Sequence, residues 1–260
     1  MPGFGTKRVR EVAAQSITKW SIGPASPSIC RHETHIWRID LSTSPQMDCD
    51  AIISAEEIER ANRFRFEKDR RRFKIAHASL RLILSRYLKL APAELVFAQT
   101  DYGKPFLVNS EADGLLFNMS HSGDVVLIAV AREREVGVDV EFMRPDFATM
   151  EVAEQFFSIA EIYTLSGLPE HLRTSAFFNC WTSKEAYVKA RGEGLSIPLD
   201  QFDVSLGPGV PAAMLGNRID EPEMSRWNFQ TLEIDPRHAG ALVIESLESL
   251  PLVHCFEFCA

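Results

Sequence analysis

No stretch of the sequence is apolar over anything near the about 20 residues that span a bilayer, and the N-terminus carries no apolar core of the secretory kind. A membrane-embedded or secreted protein is therefore not expected. Cysteine is scarce, five in 260 residues, an odd number without a Cys-x-x-Cys pair. That argues against a disulfide framework or a thiolate zinc site and for incidental thiols in a reducing compartment. Short-period repeats and low-complexity blocks are missing, which argues against a solenoid. Positive charge is also short: 36 acidic residues against 28 Lys and Arg leave a net charge of -8. Generic nucleic-acid binding is disfavoured, although a local basic patch remains compatible. The expectation is a soluble, cytoplasmic protein with neither nucleic-acid nor membrane partners.

What is present is a chain of 45% hydrophobic and 25% charged residues, long enough for one large domain or two small ones. Residues 1–34 show no clear period and read as a loosely ordered extension. Lys7, Arg8 and Arg10 there would suit an organelle transit peptide, but Glu11 and the short length count against it. Thr34–Leu41 alternates like a strand. Ser54 and Glu57 form a capping-box pattern, and Asp69–Leu90 has helical spacing. Eleven of the 28 Lys and Arg residues lie between Arg60 and Lys89, a local concentration in an acidic chain.

Further along, Asp101–Pro105 reads as a turn, and Leu115–Ala131 as strand broken by a polar bend at Ser120–Asp124. Glu135–Phe142 alternates as a strand, and Glu151–Leu165 is helical. The stretch Phe178–Leu195 reads as a further amphipathic helix ending in glycine, with Pro169 near the helix start and Gly192 just past its end. Three strand-like segments close the chain, "FDVSL", "NFQTLEI" and "AGALVIES". This mixed order predicts an α+β fold rather than strict βαβ winding.

On the strand "GVDVE", Asp139 and Glu141 point to one face. They fit a solvated acidic face, or a hard divalent cation with oxygen ligands. Trp181, Glu185 and Lys189 follow at i, i+4 and i+8 along one side of a helix. They fit an aromatic packed beside a routine ion pair, or a third carboxylate with a lysine facing phosphate. Ser120, His121 and Ser122 in "NMSHSG" offer phosphate donors or an ordinary turn. Lys104 on its turn, and Arg60 and Arg72 on the basic helix, are candidate anion contacts or solvated charges. Together they describe a site for a magnesium-bound pyrophosphate.

In that order and at those separations, "YGKP" (Tyr102–Pro105), "FNMSHS" (Phe117–Ser122), "GVDVE" (Gly137–Glu141) and "FNCWTSKEAYVKARGEGLSIPL" (Phe178–Leu199) resemble the 4′-phosphopantetheinyl transferases of the larger, surfactin-synthetase-activating type. The resemblance covers roughly residues 35–250. It implies two similar α+β halves related by a pseudo-twofold, at 35–134 and 135–260 behind the extension 1–34, joined near Arg132–Glu135, with coenzyme A between them. It also implies transfer of the phosphopantetheine arm of coenzyme A to a serine of an apo acyl or peptidyl carrier protein, releasing adenosine 3′,5′-bisphosphate, in a monomeric, magnesium-dependent enzyme. Fatty-acid, polyketide and nonribosomal-peptide carriers all qualify as partners.

Position by position, the resemblance makes Asp139, Glu141 and Glu185 the metal carboxylates. Glu185 is also the base, and Lys189 sits at the cleaved phosphate. Ser120 and His121 contact the coenzyme A phosphates. Gly103 and Lys104 lie beside the nucleotide, and Arg60 and Arg72 near its 3′-phosphate. Glu57 stands where the family carries a basic residue. Phe156, Phe157, Leu195 and Ile197 are candidates for carrier docking or for core. The residues alone leave a second chemistry open, a magnesium-dependent nucleotide phosphohydrolase that uses the same carboxylates with water as nucleophile.

Overall fold

The computed structural model describes residues 19–43, 47–108, 114–207, 209–246 and 251–259, the Leu195 side chain excepted. The first part of the chain forms β1 (Trp20–Ile22), β2 (Glu33–Asp40), α1 (Ala55–Asn62), α2 (Glu67–Leu88), β3 (Phe97–Gln99), β4 (Pro105–Leu107), β5 (Leu115–Ser122) and β6 (Val125–Arg132). The second part forms β7 (Val136–Phe142), α3 (Met150–Phe156), α4 (Ile159–Gly167), α5 (Glu170–Arg191), β8 (Phe202–Val204), β9 (Met214–Asn217), α6 (Glu223–Arg226), β10 (Trp227–Thr231), β11 (His238–Glu245) and β12 (Leu252–Glu257). The fold is α+β, as the mixed order of segments predicts.

Two main sheets organise these elements, one ordered β1-β12-β2-β6-β5 and the other β10-β11-β7, each covered by one 22-residue helix. Ile75, Ala76, Ile83 and Leu84 of α2 pack with Trp37, Phe117, Val126, Ile128 and Val130 of the first sheet. Phe177, Phe178, Ala186, Tyr187 and Ala190 of α5 pack with Phe229, Ala239, Ala241 and Val243 of the second. A third core joins the sheets, with Leu127, Ala129 and Ala131 against Val136, Val138, Val140, Leu242 and Ile244. Strand β6 is apolar without alternation because both of its faces are covered.

Local chemistry sets the element ends. Ser54 and Glu57 close their capping box at the start of α1. The segment expected as one helix over Glu151–Leu165 is two, because Ser158 caps a new helix through a second capping box with Glu161. Gly123, at φ 62, supplies the left-handed residue that the two-residue turn between β5 and β6 needs. At Gly137 a Cβ would meet the Ala186 carbonyl oxygen at 2.1 Å and the Ala190 nitrogen at 2.4 Å. Only glycine lets α5 approach β7 that closely.

The division into an extension 1–34 and halves 35–134 and 135–260 needs two adjustments. Residues 1–18, including Lys7, Arg8 and Arg10, lie outside the described residues, but Trp20–Ile22 is an edge strand and Ile29 lies in the first core. The C-terminal strand β12 does not stay with the second half. It inserts between β1 and β2, parallel to both, with Val253 opposite Thr34 and Trp20 opposite Cys255. Backbone pairing draws it there, because β1 is too short to form a stable edge on its own and β12 satisfies both neighbours. Among the described residues, no helix is long and apolar enough to cross a membrane.

Candidate functional site

Strand β7 and helix α5 build the site between them. Asp139 and Glu141 lie opposite Ala241 and Ala239 of β11, so the four side chains share the face under α5. The small alanines leave room beside the carboxylates. The close approach at Gly137 brings in Glu185 and Lys189, one turn apart on α5. An open cavity of about 340 Å³ results, lined by Met119, Ser120, His121, Asp139, Glu141, Trp181, Glu185 and Lys189. Six of the ten residues to which the resemblance gives a metal, catalytic or coenzyme A role thus meet in one place.

Asp139 is 3% exposed, and its two oxygens differ in environment. Oδ1 accepts from the Lys189 ammonium at 2.6 Å and from the Ser120 hydroxyl at 2.8 Å. Oδ2 is buried without a partner. Ser120 Oγ also accepts from Lys189 Nζ at 2.9 Å and from the Val140 N–H at 3.3 Å, which fills its capacity. Lys189 is therefore anchored to Asp139 and Ser120 at the edge of the cavity. Its third ammonium hydrogen has no partner among the described residues.

Burial pushes the Asp139 carboxyl above its ordinary range, against the pull of Lys189. Burial, then the Asp139 charge, raises Glu141. Burial, then Asp139, raises Glu185, with Glu141 adding to the effect and Lys189 opposing it. His121 is lowered, first by lost solvation and then by nearby positive charge, chiefly Lys189, with Asp139 opposing. The cavity thus holds three carboxylates with one lysine among them, and His121 at its side.

A hard cation fits the chemistry of this donor set. Asp139 Oδ2 is an orphaned oxygen, and all three carboxylates are held above their ordinary range, which a cation would reverse. Among the described residues, no three or more His, Cys, Asp or Glu side chains form a ready metal cage. Magnesium does not require one, since it keeps waters and takes substrate oxygens as further ligands.

The other candidates lie elsewhere. Lys104 donates to Glu135 Oε2 at 2.6 Å and to the Ala190 carbonyl at 2.8 Å, pinning its turn to the end of α5. It faces a second cavity of about 270 Å³ shared with Phe117 and Glu135. Gly103, at φ 83, shapes that turn. Arg72 pairs with Asp124 at 2.6 Å, in the turn next to His121, and Arg60 lies over the Phe73 ring at 5.4 Å. Neither arginine lines the first cavity.

Glu57 is no anion clamp. Beyond its capping box it pairs with His77 at 2.9 Å and Arg81 at 2.7 Å. Lys184 is fully buried and donates to the Leu199 and Phe202 carbonyls, each at 2.6 Å, with Glu161 at 2.8 Å. It is a structural residue. Of the docking candidates, Phe157 is core, Phe156 packs on Trp181, and Ile197 packs against the second core, while the Leu195 side chain lies outside the described residues. Ile159 and Tyr163, one turn apart on α4, are the exposed apolar pair, at 88% and 81%.

The sequence placed Ser122 only as a phosphate donor beside Ser120 and His121, missed Met119, and left Trp181 as core. Trp181 also forms the cavity wall, propped by Phe147, Phe156 and Phe177. The structural role of Ser122 was signalled by the polar period of two at Asn118, Ser120 and Ser122 on a partly buried strand.

Residues 135–244 match the family model described as the 4′-phosphopantetheinyl transferase superfamily, and residues 43–133 match the one described as 4′-phosphopantetheinyl transferase, N-terminal. The chain belongs to the 4′-phosphopantetheinyl transferase family. It is 39% identical over 198 residues to the 4′-phosphopantetheinyl transferase HetI of Nostoc sp., covering 75% of this chain and 83% of that protein. It is 31% identical over 193 residues to the 4′-phosphopantetheinyl transferase Sfp of Bacillus subtilis, covering 74% and 82%. Both phosphopantetheinyl transferase models meet at residues 133–135, where β6 gives way to β7.

Proposed function

We propose that this chain transfers the 4′-phosphopantetheine arm of coenzyme A to a serine of an apo carrier protein. The observation that carries the reading is the convergence of Asp139, Glu141, Glu185 and Lys189 with Ser120 and His121 on one cavity. In the proposed step the carrier serine oxygen attacks the phosphorus that bears pantetheine. A new phosphodiester bond forms, and the bond from that phosphorus to the bridging oxygen breaks. Adenosine 3′,5′-bisphosphate leaves with the electron pair, and the serine proton passes to a carboxylate.

Glu185 is the proposed base, directly or through one water. It borders the same cavity as Lys189, so a carrier serine entering there would meet this carboxylate. Lys189, held by Asp139 and Ser120, has one ammonium hydrogen left for the departing oxygen and is fixed before reaction begins. Ser120 and His121 border the space where the phosphates would lie, and Arg72 stands behind His121. Positioning and charge neutralisation account for most of such a transfer. Magnesium, when bound, would be held by Asp139, Glu141 and Glu185 and would supply charge neutralisation at the pyrophosphate.

The test is incubation with coenzyme A, magnesium and a panel of purified apo carriers, followed by intact-mass measurement. A gain of one arm, about 340 Da, on the carrier serine is the expected result. Release of adenosine 3′,5′-bisphosphate at equal rates with and without carrier would instead establish a nucleotide phosphohydrolase. The panel also identifies which carrier is used.

A further inference from the structure

Among the described residues, strand β7 is the edge of its sheet, since β11 is its only backbone-paired neighbour. Its outward N–H groups would be left without acceptors in a buried position, a costly arrangement. They go instead to side chains of β5. Val138 N–H donates to Asn118 Oδ1 at 3.0 Å, Val140 N–H to Ser120 Oγ at 3.3 Å, and Phe142 N–H to Ser122 Oγ at 2.9 Å. Three polar residues at i, i+2 and i+4 thus stitch the two sheets together where backbone pairing does not.

The two serines do a second thing that Asn118 does not. Each hydroxyl still has its own hydrogen, and each gives it to a cavity carboxylate. Ser120 donates to Asp139 at 2.8 Å, and Ser122 donates to Glu141 Oε2 at 2.8 Å. Asp139 has Lys189 as a further anchor. Among the described residues, Ser122 is the sole hydrogen-bond donor to Glu141. The Phe142 N–H occupies a lone pair of the same hydroxyl, so the O–H is not free to swing away.

We propose that Ser122 is a positioning residue that aims the Glu141 carboxylate into the cavity. The role rests on the reading of Glu141 as a cation-binding carboxylate. Ser122 does not line the cavity. It acts through Glu141, as outer-shell partners orient metal carboxylates elsewhere.

The test measures Mn2+ binding by electron paramagnetic resonance, with coenzyme A present and carrier absent, together with arm transfer and melting temperature. The proteins compared are wild type, Ser122→Ala, Ser122→Thr, Glu141→Gln and the double variant Ser122→Ala/Glu141→Gln. Ser122→Ala is expected to weaken Mn2+ binding about 10–100-fold. Ser122→Thr, which keeps the hydroxyl, should recover most of it. In the Glu141→Gln background, Ser122→Ala should add less than about a twofold change, because the residue it orients is gone.

If Glu141→Gln binds Mn2+ and transfers the arm like wild type, the site reading falls and takes this role with it. If Glu141→Gln is impaired while Ser122→Ala is not, or if Ser122→Ala costs the same in both backgrounds, the positioning role alone is overturned. Ser122→Cys keeps the volume with a weaker donor. It should fall between wild type and Ser122→Ala, and it replaces the alanine variant should that fail to fold.

Discussion

Glu57 sits beside α2 with His77 and Arg81, while Asp139, Glu141 and Glu185 sit beside α5 with Lys189. Both clusters put carboxylates against a 22-residue helix that covers a sheet. Burial alone would raise Glu57, but donors from His77, the Ser54 N–H and Arg81 override it and bring the carboxyl down to about 2. In the α5 cluster one lysine faces three carboxylates, and all three are raised. Where acid and base are balanced, the cluster holds the fold together. Where acid is left in excess around a cavity, it has charge to offer a ligand.

The same contrast holds along α5 itself. Lys184 and Lys189 are five residues apart. Lys184 is sealed by Glu161 and two carbonyls, while Lys189 is anchored by two partners at the edge of open space.

The largest way to break the contrast is to remove its central acid. Asp139→Ala should cut arm transfer by about a hundredfold or more, since metal charge stabilisation contributes several kcal/mol. The chain should remain folded by circular dichroism. Next, Lys184→Ala should destabilise the chain by about 3–5 kcal/mol in denaturant titration, because it strands Glu161 as an uncompensated buried charge. Transfer per folded molecule should survive. Lys189→Ala should slow the single-turnover rate more than it weakens coenzyme A binding, and a pure affinity loss would count against its place at the departing oxygen.

The smallest effect is one of pH. Three carboxylates with raised folded values mean that the folded, metal-free chain retains protons the unfolded chain has lost. Their contribution therefore turns unfavourable as pH rises from ordinary carboxylate values through the raised ones, and stays so above them. Glu57 has the opposite sign, stabilising above its ordinary 4.5 and losing that contribution as pH falls toward about 2. Added magnesium should raise the melting temperature at about pH 7.5, and the shift should shrink toward about pH 5 as the site carboxylates take up protons.

Much of the site was legible because its spacings are local. Asp139 and Glu141 share a face by strand alternation, and Glu185 and Lys189 share one by helical repeat. Their meeting depended on Gly137, whose role is visible only once Ala186 and Ala190 are seen against it. The fate of Lys184 and Glu57 was not legible, because their partners come from separate elements, Glu161 with the Leu199 and Phe202 carbonyls in one case and Arg81 with His77 in the other. Lys104 read as a site turn because its motif is local, yet its ammonium is drawn to Glu135 and the Ala190 carbonyl. The place of β12 was hidden for the same reason, since a strand's sheet is set by long-range pairing. The break at Ser158 was readable in principle, because Ser158 and Glu161 carry the same capping pattern recognised at Ser54 and Glu57.

The most direct test sets Glu185→Gln beside Glu57→Gln, measuring arm transfer to an apo carrier and melting temperature on both. Glu185→Gln should slow transfer by about 10²–10⁴-fold, the range for loss of a general base, while its melting temperature at neutral pH holds or rises. Glu57→Gln should lower the melting temperature and keep transfer per folded molecule. Wild-type transfer in folded Glu185→Gln, or loss of transfer in folded Glu57→Gln, would contradict the assignment of the α5 cluster as the site.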